Sequence, residues 1–360
     1  MPATPTPEIS NTAPSTNGHL DGQQSPPPQE ILFQASLGYI ISACVSVAAK
    51  LNLADLIGDG EREVVSLAEQ ACVSADYLFR VLRVLEMAHI VTRKGPRTFS
   101  LTPAGELLRR GVPGTLAAFA ELLTDPLQFR VFSELLGSVK AGATIFDELH
   151  GQPFFAWLSR PENQQMAALF NDAMTSFSDT CAPAFLEAYD FGSFTRIMDV
   201  GGGHGAILRA ILKEYPDLSG TIAEIPSVVP NARTAIEAEG MAHRCDAAEC
   251  DFFAGVPAGG DAYFMKGIIH DWPDDLAIQL LRNIRAVIPP HGKLLLAESV
   301  LDDSPAPHPA KLLDIEMMAF VGGKERTEEE FRQLLADAGF ALKQLIPTRS
   351  PVSLLEAVPC

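Results

Sequence analysis

From residue 196 onward the sequence alternates between strand patterns and amphipathic helix patterns, and this alternation constrains the fold more than any other feature. The strand pattern RIMDVG is followed by the helix pattern AILRAILKEYP, and further strand patterns follow at SGTIAEI, DAYFMKGII and GKLLLAESVL. Such alternation predicts an α/β fold with a mostly parallel sheet flanked by helices and joined by right-handed crossovers. The chain ends with the strand patterns ALKQLIPT and SPVSLLEAVP, which predict an antiparallel edge.

A glycine-rich loop follows the strand RIMDV. Its residues, Gly201-Gly202-Gly203-His204-Gly205-Ala206, lead directly into a helix pattern, and glycines permit a tight turn and close approach of a ligand to the backbone. Glu224 ends the next strand, where a carboxylate can accept hydrogen bonds from both hydroxyls of a ribose. Asp199 precedes the glycines and can orient the loop or accept from a cationic amine. The pattern predicts a nucleoside-containing cofactor, with NAD and a purely structural turn as alternatives.

Asp251 and Phe252 lie where the third strand is predicted to end. A carboxylate beside an aromatic ring suits an adenine, because the exocyclic amine donates and the ring face stacks. The alternative interpretation is an exposed Asp that precedes two core residues, Phe252 and Phe253.

A second dense cluster runs from Lys266 to Asp275, KGIIHDWPDD. The strand before it ends close to Lys266, which places His270 on a loop at the cofactor end of the sheet and predicts proton chemistry near neutral pH. Glu298 and Glu325 fall on the same edge, where they would hold the imidazole from both sides and raise its basicity. A buried structural histidine, and glutamates that merely cap a helix or face solvent, are the alternatives. The sequence shows no metal-ligand spacing.

Residues 63–110 follow a winged-helix pattern of two helices, a strand, a turn and a second strand. This pattern is compatible with DNA binding, but winged helices also serve as dimerisation and lid modules, and the sequence favours that second interpretation. Lys plus Arg is 27 and Asp plus Glu is 45, a net charge of -18, which argues against nucleic acid and anionic membrane surfaces as partners. The helix-rich stretch 115–190 carries scattered Phe and Met that either pack a core or line a cavity for a flat apolar ligand.

The N-terminal segment is polar up to residue 28 and contains seven prolines, which predicts a disordered tail. Residues 31–49 carry no charge and are close to a membrane-spanning length, but polar residues interrupt them. We expect a helix buried in protein, against the same chain or a second subunit. The scattered cysteines, without a C-x-x-C, indicate free thiols in a reducing compartment, and no signal peptide is visible, so a cytoplasmic location is expected.

Taken together and in this order, four motifs resemble class I methyltransferases that use S-adenosylmethionine, and more narrowly the caffeic-acid and hydroxyindole type of O-methyltransferase. The motifs are DVGGGHG, FMKGIIHDWPDD, AESVL and GGKERTEEEF, and the resemblance covers about residues 30–358. It implies a Rossmann-like, mostly parallel sheet with an antiparallel C-terminal edge, preceded by an α-helical winged-helix dimerisation domain. It also implies a homodimer, S-adenosylmethionine as cofactor with S-adenosylhomocysteine as product, and no metal.

The resemblance assigns roles to matching residues. Gly201 and Gly203 approach the methionine part of the cofactor, and Glu224 binds its ribose. The remaining cofactor candidates are Asp199, Asp251, Phe252 and Lys266. His270 is the general base, flanked by Glu298 and Glu325. The candidate contacts of the small phenolic or polyketide acceptor are Phe170, Met174, Asp271, Met317 and Phe320.

This chemistry needs no metal, because a sulfonium methyl is already electrophilic, and the enzyme must align the reacting atoms and remove a hydroxyl proton. A phenol near pKa 10 and a histidine near 6.5 differ by about 3.5 units, or roughly 5 kcal/mol, which the two glutamates are expected to narrow.

The sequence departs from plant members of this family at two places. Glu224 stands where Asp is commonest, and Phe320-Val321 replaces the Asn-Pro that precedes Gly-Gly in lignin-pathway members. Together with Met317 and Met318, the second departure predicts an apolar, polycyclic acceptor of secondary metabolism rather than a lignin precursor.

Three alternatives to O-methylation stay open. The first is a relative that binds the cofactor but catalyses a pericyclic, decarboxylating or hydroxylating reaction. The second is a winged-helix regulator that senses a metabolite, and the third is methylation at nitrogen or carbon. The predicted organisation is a tail over 1–28, the dimerisation domain over 29–112, a helical linker and acceptor-pocket region over 113–190, and the catalytic domain over 191–360.

Overall fold

A computed structural model describes residues 26–302 and 304–360. Residues 1–25 of the predicted disordered tail, 1–28, therefore lie outside the described residues. The first helix begins at Pro28, the last residue of that predicted tail.

The elements alternate much as the sequence predicts. The α-helices are α1 (Pro28–Lys50), α2 (Leu53–Ile57), α3 (Val64–Gln70), α4 (Ala75–Met87), α5 (Pro103–Glu106), α6 (Ala117–Leu123), α7 (Pro126–Ser133), α8 (Leu135–Ala141), α9 (Ile145–His150), α10 (Phe154–Leu158), α11 (Gln164–Ala188), α12 (Ala206–Glu214), α13 (Val229–Ala238), α14 (Asp274–Val287), α15 (Pro309–Phe320) and α16 (Glu328–Asp337). The strands are β1 (Arg62–Glu63), β2 (Val91–Gly95), β3 (Thr98–Leu101), β4 (Arg196–Val200), β5 (Ser219–Glu224), β6 (Cys245–Glu249), β7 (Ala262–Lys266), β8 (Lys293–Glu298), β9 (Val300–Leu301), β10 (Arg326–Thr327), β11 (Phe340–Ile346) and β12 (Ser353–Pro359).

Helix α1 contains the point, between Ile40 and Ile41, at which the chain divides into two units. In its N-terminal half the large apolar side chains of Leu32, Phe33 and Tyr39 are exposed. By length and composition α1 could also cross a membrane, which is weak evidence because core helices pass the same test. The expectation of a helix buried within its own chain is therefore wrong for these exposed residues, and burial against a second subunit stays a prediction.

The winged-helix pattern folds as predicted. Helix α4 packs on α3, and strand β2 pairs antiparallel with β3, whose other edge binds the short β1 that the sequence pattern did not indicate. One apolar cluster fills this region, with Leu67, Leu82 and Phe99 completely buried. The amphipathic spacing of α4 accounts for this, since its Leu residues recur on one face and turn toward β2 and β3.

The seven-stranded sheet has the order β11-β12-β8-β7-β4-β5-β6. Strands β8, β7, β4, β5 and β6 are parallel, and β12 pairs antiparallel with both β8 and β11. The predicted α/β class, parallel sheet and antiparallel C-terminal edge are confirmed.

Alternate residues of the central strands feed two separate apolar layers. Ile197 and Leu295 face the layer packed by α11, α12 and α13, whereas Met198 and Leu294 face the layer packed by α14 and α16. This period of two is what a sheet covered on both faces requires. Because β4, β5, β7 and β8 run parallel, their carboxyl ends meet at one edge of the sheet, where the candidate site residues lie.

Candidate cofactor and active site

The glycine loop follows β4, and its glycines differ in the space around them. Gly203 has φ +58° and open space where a Cβ would stand, whereas a Cβ on Gly202 would lie 2.4 Å from an oxygen of Asp199. Strand β4 thus ends in a loop whose backbone is free on one side and packed on the other. A ligand can approach the backbone at Gly203.

Two carboxylates stand beside this loop. Glu224, at the end of β5, accepts hydrogen bonds from the Gly203 N–H at 3.0 Å and the Ile225 N–H at 2.8 Å. Burial raises its pKa in spite of those two donors. Asp199 is only 2% exposed, and burial, reinforced by the charge of Glu224, raises its pKa to about 7 although Lys266 opposes the shift. The pair concentrates negative charge where a cationic amine or a ribose could bind.

Asp251 and Phe252 lie just beyond β6. Asp251 is exposed and accepts a hydrogen bond from the Phe253 N–H at 3.0 Å. The ring of Phe252 is half-buried and meets Phe253 edge-on at 4.9 Å, and Asn283 donates to the Phe252 carbonyl at 2.8 Å. Asn283 of α14 therefore helps to fix the loop, and both Phe rings are partly buried against the apolar layer of α14 and α16.

Lys266 ends β7 and turns toward α11. Its Nζ lies 5.1 Å from the centre of the Phe177 ring, a cation–π distance, and burial lowers its pKa. Lys266 therefore reaches the same edge of the sheet as Asp199 and His270.

His270 lies in a short 3-10 helix, Ile269–Asp271, that follows β7. Its Nδ1 is 2.7 Å from Glu325 Oε1 and 3.7 Å from Glu298 Oε2, while its Nε2 is 3.6 Å from Asp271 Oδ1. The sequence correctly predicts that both glutamates reach His270. The expectation that they hold it from both sides is wrong, because both meet the same nitrogen and Asp271 stands at the other.

The carboxylates around His270 set its electrostatics. Burial lowers the pKa of His270, but the charges of Glu298, Asp271 and Glu325 overcome burial and raise it to about 10. Burial likewise raises the pKa of Glu298, and it raises that of Asp271 to about 7. The raised pKa of His270 is close to that of a phenol. The difference of about 3.5 units between the pKa values of histidine and phenol, expected from the sequence, therefore almost disappears.

Each glutamate keeps one oxygen free. Glu298 Oε1 accepts from the Ile268 and Ile269 N–H groups, at 3.1 and 2.8 Å, while its buried Oε2 has no hydrogen-bond partner among the described residues. Glu325 Oε2 is also buried and has no partner in the described part of the chain. One nitrogen of His270 and one carboxylate oxygen each of Glu298 and Glu325 lie within 4.8 Å of one another, a spacing that could also hold a metal ion. A metal bound at Nδ1 would have to displace the proton that bonds His270 to Glu325.

The predicted acceptor contacts lie on helices α11 and α15. Phe170 and Phe320 each pack edge-on against Phe154, with ring centres 5.6 Å apart, so one aromatic cluster joins them. Met317 is buried on α15, and Met174 is half-buried on α11. Phe320 is only 3% exposed, so it supports the cluster from behind more than it lines an open surface.

The sequence interpretation missed two contributors to this edge. The indole of Trp272 meets Phe253 at 4.7 Å and Phe155 at 5.9 Å, which connects the Asp251 loop to the aromatic cluster. Arg326, inside the GGKERTEEEF motif, is completely buried. The Trp could have been found from its place next to His270-Asp271, whereas a buried Arg carries no local signal, because Arg is usually exposed.

The chain matches two family models. The O-methyltransferase domain matches residues 132–341, and the O-methyltransferase dimerisation domain matches residues 33–111. The phenazine O-methyltransferase PhzM of Lysobacter antibioticus is 37% identical over 334 residues, which cover 92% of this chain and 97% of that protein.

Two solved structures show the same fold. The crystal structure of LaPhzM superposes with a TM-score of 0.87 at 36% identity and covers 93% of this chain and 100% of its own. NcsB1, an O-methyltransferase from neocarzinostatin biosynthesis crystallised with S-adenosylmethionine and 2-hydroxy-5-methyl naphthoic acid, has a TM-score of 0.73 at 29% identity, covering 89% and 96%.

Proposed function

The chain belongs to the O-methyltransferase family and depends on S-adenosylmethionine, and we propose that it methylates a hydroxyl of a small aromatic or polyketide-type metabolite with His270 as the general base. One observation carries this proposal. His270 lies at the edge of the sheet that presents the glycine loop, with Nδ1 bonded to a buried carboxylate and Nε2 left for a substrate proton.

The residues at the sheet edge fit the cofactor. The open space at Gly203 admits a ligand to the backbone, and Asp199 and Glu224 supply negative charge for an ammonium and acceptors for ribose hydroxyls. Phe252 and Asp251 offer an aromatic face and a carboxylate for an adenine. The residues proposed to hold the cofactor are Asp199, Gly201, Gly203, Glu224, Asp251, Phe252 and Lys266.

When bound, S-adenosylmethionine supplies an electrophilic methyl group and leaves as S-adenosylhomocysteine. His270 Nε2 accepts the proton of the acceptor hydroxyl as the new oxygen–carbon bond forms. Glu325 accepts the Nδ1–H bond at 2.7 Å, which selects the tautomer that leaves Nε2 free. Glu298 adds negative charge at 3.7 Å and stabilises the imidazolium that results.

The proton transfer is nearly balanced. With its pKa raised to about 10, His270 matches a phenol and can take the proton without a large uphill step. In the free enzyme the same pKa keeps His270 mostly protonated at neutral pH. We therefore propose an alkaline optimum for kcat/KM, because the neutral imidazole becomes more abundant as the pH rises toward 10.

The acceptor proposed here is a flat, apolar aromatic with a free hydroxyl. The support is the aromatic cluster of Phe154, Phe170 and Phe320 together with the buried Met317. The names of the phenazine and naphthoic-acid proteins point to fused-ring acceptors. Met174, which α11 carries on the turn after Phe170, and Asp271, beside His270 Nε2, complete the proposed contacts.

The assembly proposed is a homodimer through the N-terminal region, since residues 33–111 match a dimerisation domain. We further propose that catalysis needs no metal, because the proton between His270 Nδ1 and Glu325 would occupy the position of a metal. Treatment with EDTA should leave turnover unchanged. Loss of turnover that Zn²⁺ or Mg²⁺ restores would contradict this part of the proposal.

The experiment that tests the proposal combines binding and turnover. S-Adenosylhomocysteine is titrated calorimetrically into wild type, His270→Ala and the control His291→Ala, an exposed histidine. A library of naphthols, hydroxyphenazines and hydroxycinnamates is then assayed for methyl transfer. We expect equal binding in all three proteins, transfer to fused-ring phenols, and a loss of about 10²–10⁴-fold in His270→Ala alone.

Other outcomes would replace parts of the proposal. No binding of S-adenosylhomocysteine to the wild type contradicts the cofactor assignment. Transfer to arylamines only indicates N-methylation, and conversion of an acceptor without methyl transfer indicates one of the non-methylating reactions. Preference for hydroxycinnamates contradicts the fused-ring acceptor, and full activity in His270→Ala contradicts the general base.

A further inference from the structure

Arg326 is buried without exposed surface, yet it belongs to none of the groups proposed to bind cofactor or acceptor. Its guanidinium bonds Asp274 through Nε at 3.0 Å and through Nη2 at 2.8 Å. Both donors meet the same oxygen, Asp274 Oδ1, and two bonds from one edge of the guanidinium to one charged acceptor hold that edge in place. The remaining donors are then directed at backbone carbonyls.

Those carbonyls lie on either side of His270. Nη1 donates to the carbonyl of Ile269 at 3.0 Å, and Nη2 donates to the carbonyl of Trp272 at 2.8 Å. The carbonyl of His270 itself accepts from the Lys324 N–H at 2.9 Å. The segment 324–326 thereby bonds the carbonyls just before, at and two residues after the imidazole.

The segment that contains Gly323 and the turn that carries His270 are in close contact. A Cβ added to Gly323 would stand 1.9 Å from the His270 carbonyl oxygen, so backbone packs directly on backbone. Glu325, which bonds His270 Nδ1, is the neighbour of Arg326, and its own N–H bonds Asp314 at 2.9 Å. The carboxylate and the histidine are therefore positioned by the same short segment.

We infer that Arg326 is a positioning residue for the general base: by bonding Asp274, Ile269 and Trp272 it fixes the turn that carries His270 relative to Glu325. This inference rests on the proposed function, since it assumes that His270 removes the acceptor proton. Lysine at this position keeps the charge but carries its donors on one nitrogen, whereas Arg326 bonds its partners from Nε, Nη1 and Nη2, held in one plane. A displacement of about 1 Å at a reacting group is enough to cost about 100-fold in rate.

The test compares Arg326→Lys and Asp274→Asn with the matched control Arg285→Lys. Arg285 also donates to two backbone carbonyls, those of Gly339 at 3.0 Å and Cys360 at 3.1 Å, but away from His270. Turnover is measured with a fused-ring phenol and with its nitro-substituted analogue, which is already ionised at neutral pH. S-Adenosylhomocysteine affinity, and the ¹⁵N signals of the His270 ring, assigned with His270→Asn, are recorded for each protein.

For Arg326→Lys we expect kcat with the phenol to fall about 100-fold, with unchanged affinity for S-adenosylhomocysteine. The loss should shrink with the ionised acceptor, as it should in His270→Ala, because no base is then needed. The His270 ring signals should broaden or split, and Asp274→Asn should show the same changes more weakly. Arg285→Lys should behave as wild type.

Any of four results would overturn the inference. In Arg326→Lys these are an equal loss of kcat on both acceptors, a loss of kcat that follows reduced affinity for S-adenosylhomocysteine, and His270 ring signals identical to wild type. The fourth is the same loss of kcat in Arg285→Lys. Failure of the proposed function looks different, because His270→Ala would then transfer methyl normally. In that case the ring signals alone still decide whether Arg326 positions His270.

Discussion

Replacing Glu325 with Gln removes the carboxylate nearest to His270 and keeps an amide oxygen that can accept the Nδ1–H bond, now 2.7 Å long. The side chain of His270 is 15% exposed, so solvent screens this interaction little. The pKa of His270 rises from 6.5 to about 10, a net change of about 3.5 units or about 5 kcal/mol, although burial opposes the rise. Glu298, Asp271 and Glu325 together produce that change, so the loss of one of the three charges is expected to lower the pKa of His270 by about one unit, or roughly 1–2 kcal/mol.

The sign of the effect follows from the charge. Without Glu325 the imidazolium is less stable, the pKa of His270 falls, and the neutral base is reached at lower pH. The rising limb of kcat/KM, which reports the free enzyme, should move at least about one unit toward acid. The plateau should fall at the same time, because a weaker base removes a phenolic proton less readily.

The assay is the pH dependence of kcat/KM for methyl transfer to one fused-ring phenol, in wild type and Glu325→Gln. Glu328→Gln serves as the control, since Glu328 pairs with Arg332 on the surface of α16. A rising limb in Glu325→Gln that moves by less than about half a unit, or that moves toward alkaline pH, would refute the reasoning that Glu325 raises the pKa of His270.

Three further predictions concern the cofactor edge, the backbone and the assembly. Glu224→Ala should weaken S-adenosylhomocysteine binding about 10- to 100-fold by calorimetry, through loss of charge-assisted hydrogen bonds, whereas Glu249→Ala, paired with it across β5 and β6, should bind normally. Gly323→Ala should lower the melting temperature and abolish turnover because its Cβ would meet the His270 carbonyl, while Gly255→Ala, with open space around it, should change neither. Phe33→Glu, at a side chain 66% exposed within the dimerisation match, should convert dimer to monomer in light scattering, unlike Leu312→Glu outside that match.

The strands, the helices and the glycine loop could be predicted because their signals are local. Short, mostly apolar runs in RIMDV and KLLLAE, a period of 3.6 in α14, and glycines that the backbone of the loop requires are all written in neighbouring residues. The edge on which Glu224, His270 and Glu298 meet then follows from parallel topology alone. The predicted site residues belong to this edge and to the helices beside it.

The arrangement of charges could not be predicted in the same way. Which nitrogen of His270 each carboxylate meets depends on side-chain rotamers, and the sequence does not determine these for residues as far apart as His270 and Glu325, 55 positions along the chain. Arg326 was missed because only the fold buries it. The apolar composition of α1 predicts burial, but the sequence does not say which surface would cover the helix. In the structure, the N-terminal half of α1 is exposed.

The charge around His270 decides in which form an acceptor can bind. Asp271, Glu298 and Glu325 surround one imidazole, and the chain as a whole carries a net charge of -18. Such a site binds a phenolate less well than a neutral phenol, so an ordinary phenol enters with its proton. Its proton then has to leave inside the site, where the pKa of His270 is about 10. A base matched to the phenol makes this transfer nearly balanced, and the carboxylates that disfavour binding of the phenolate are the same groups that make His270 basic enough to generate it.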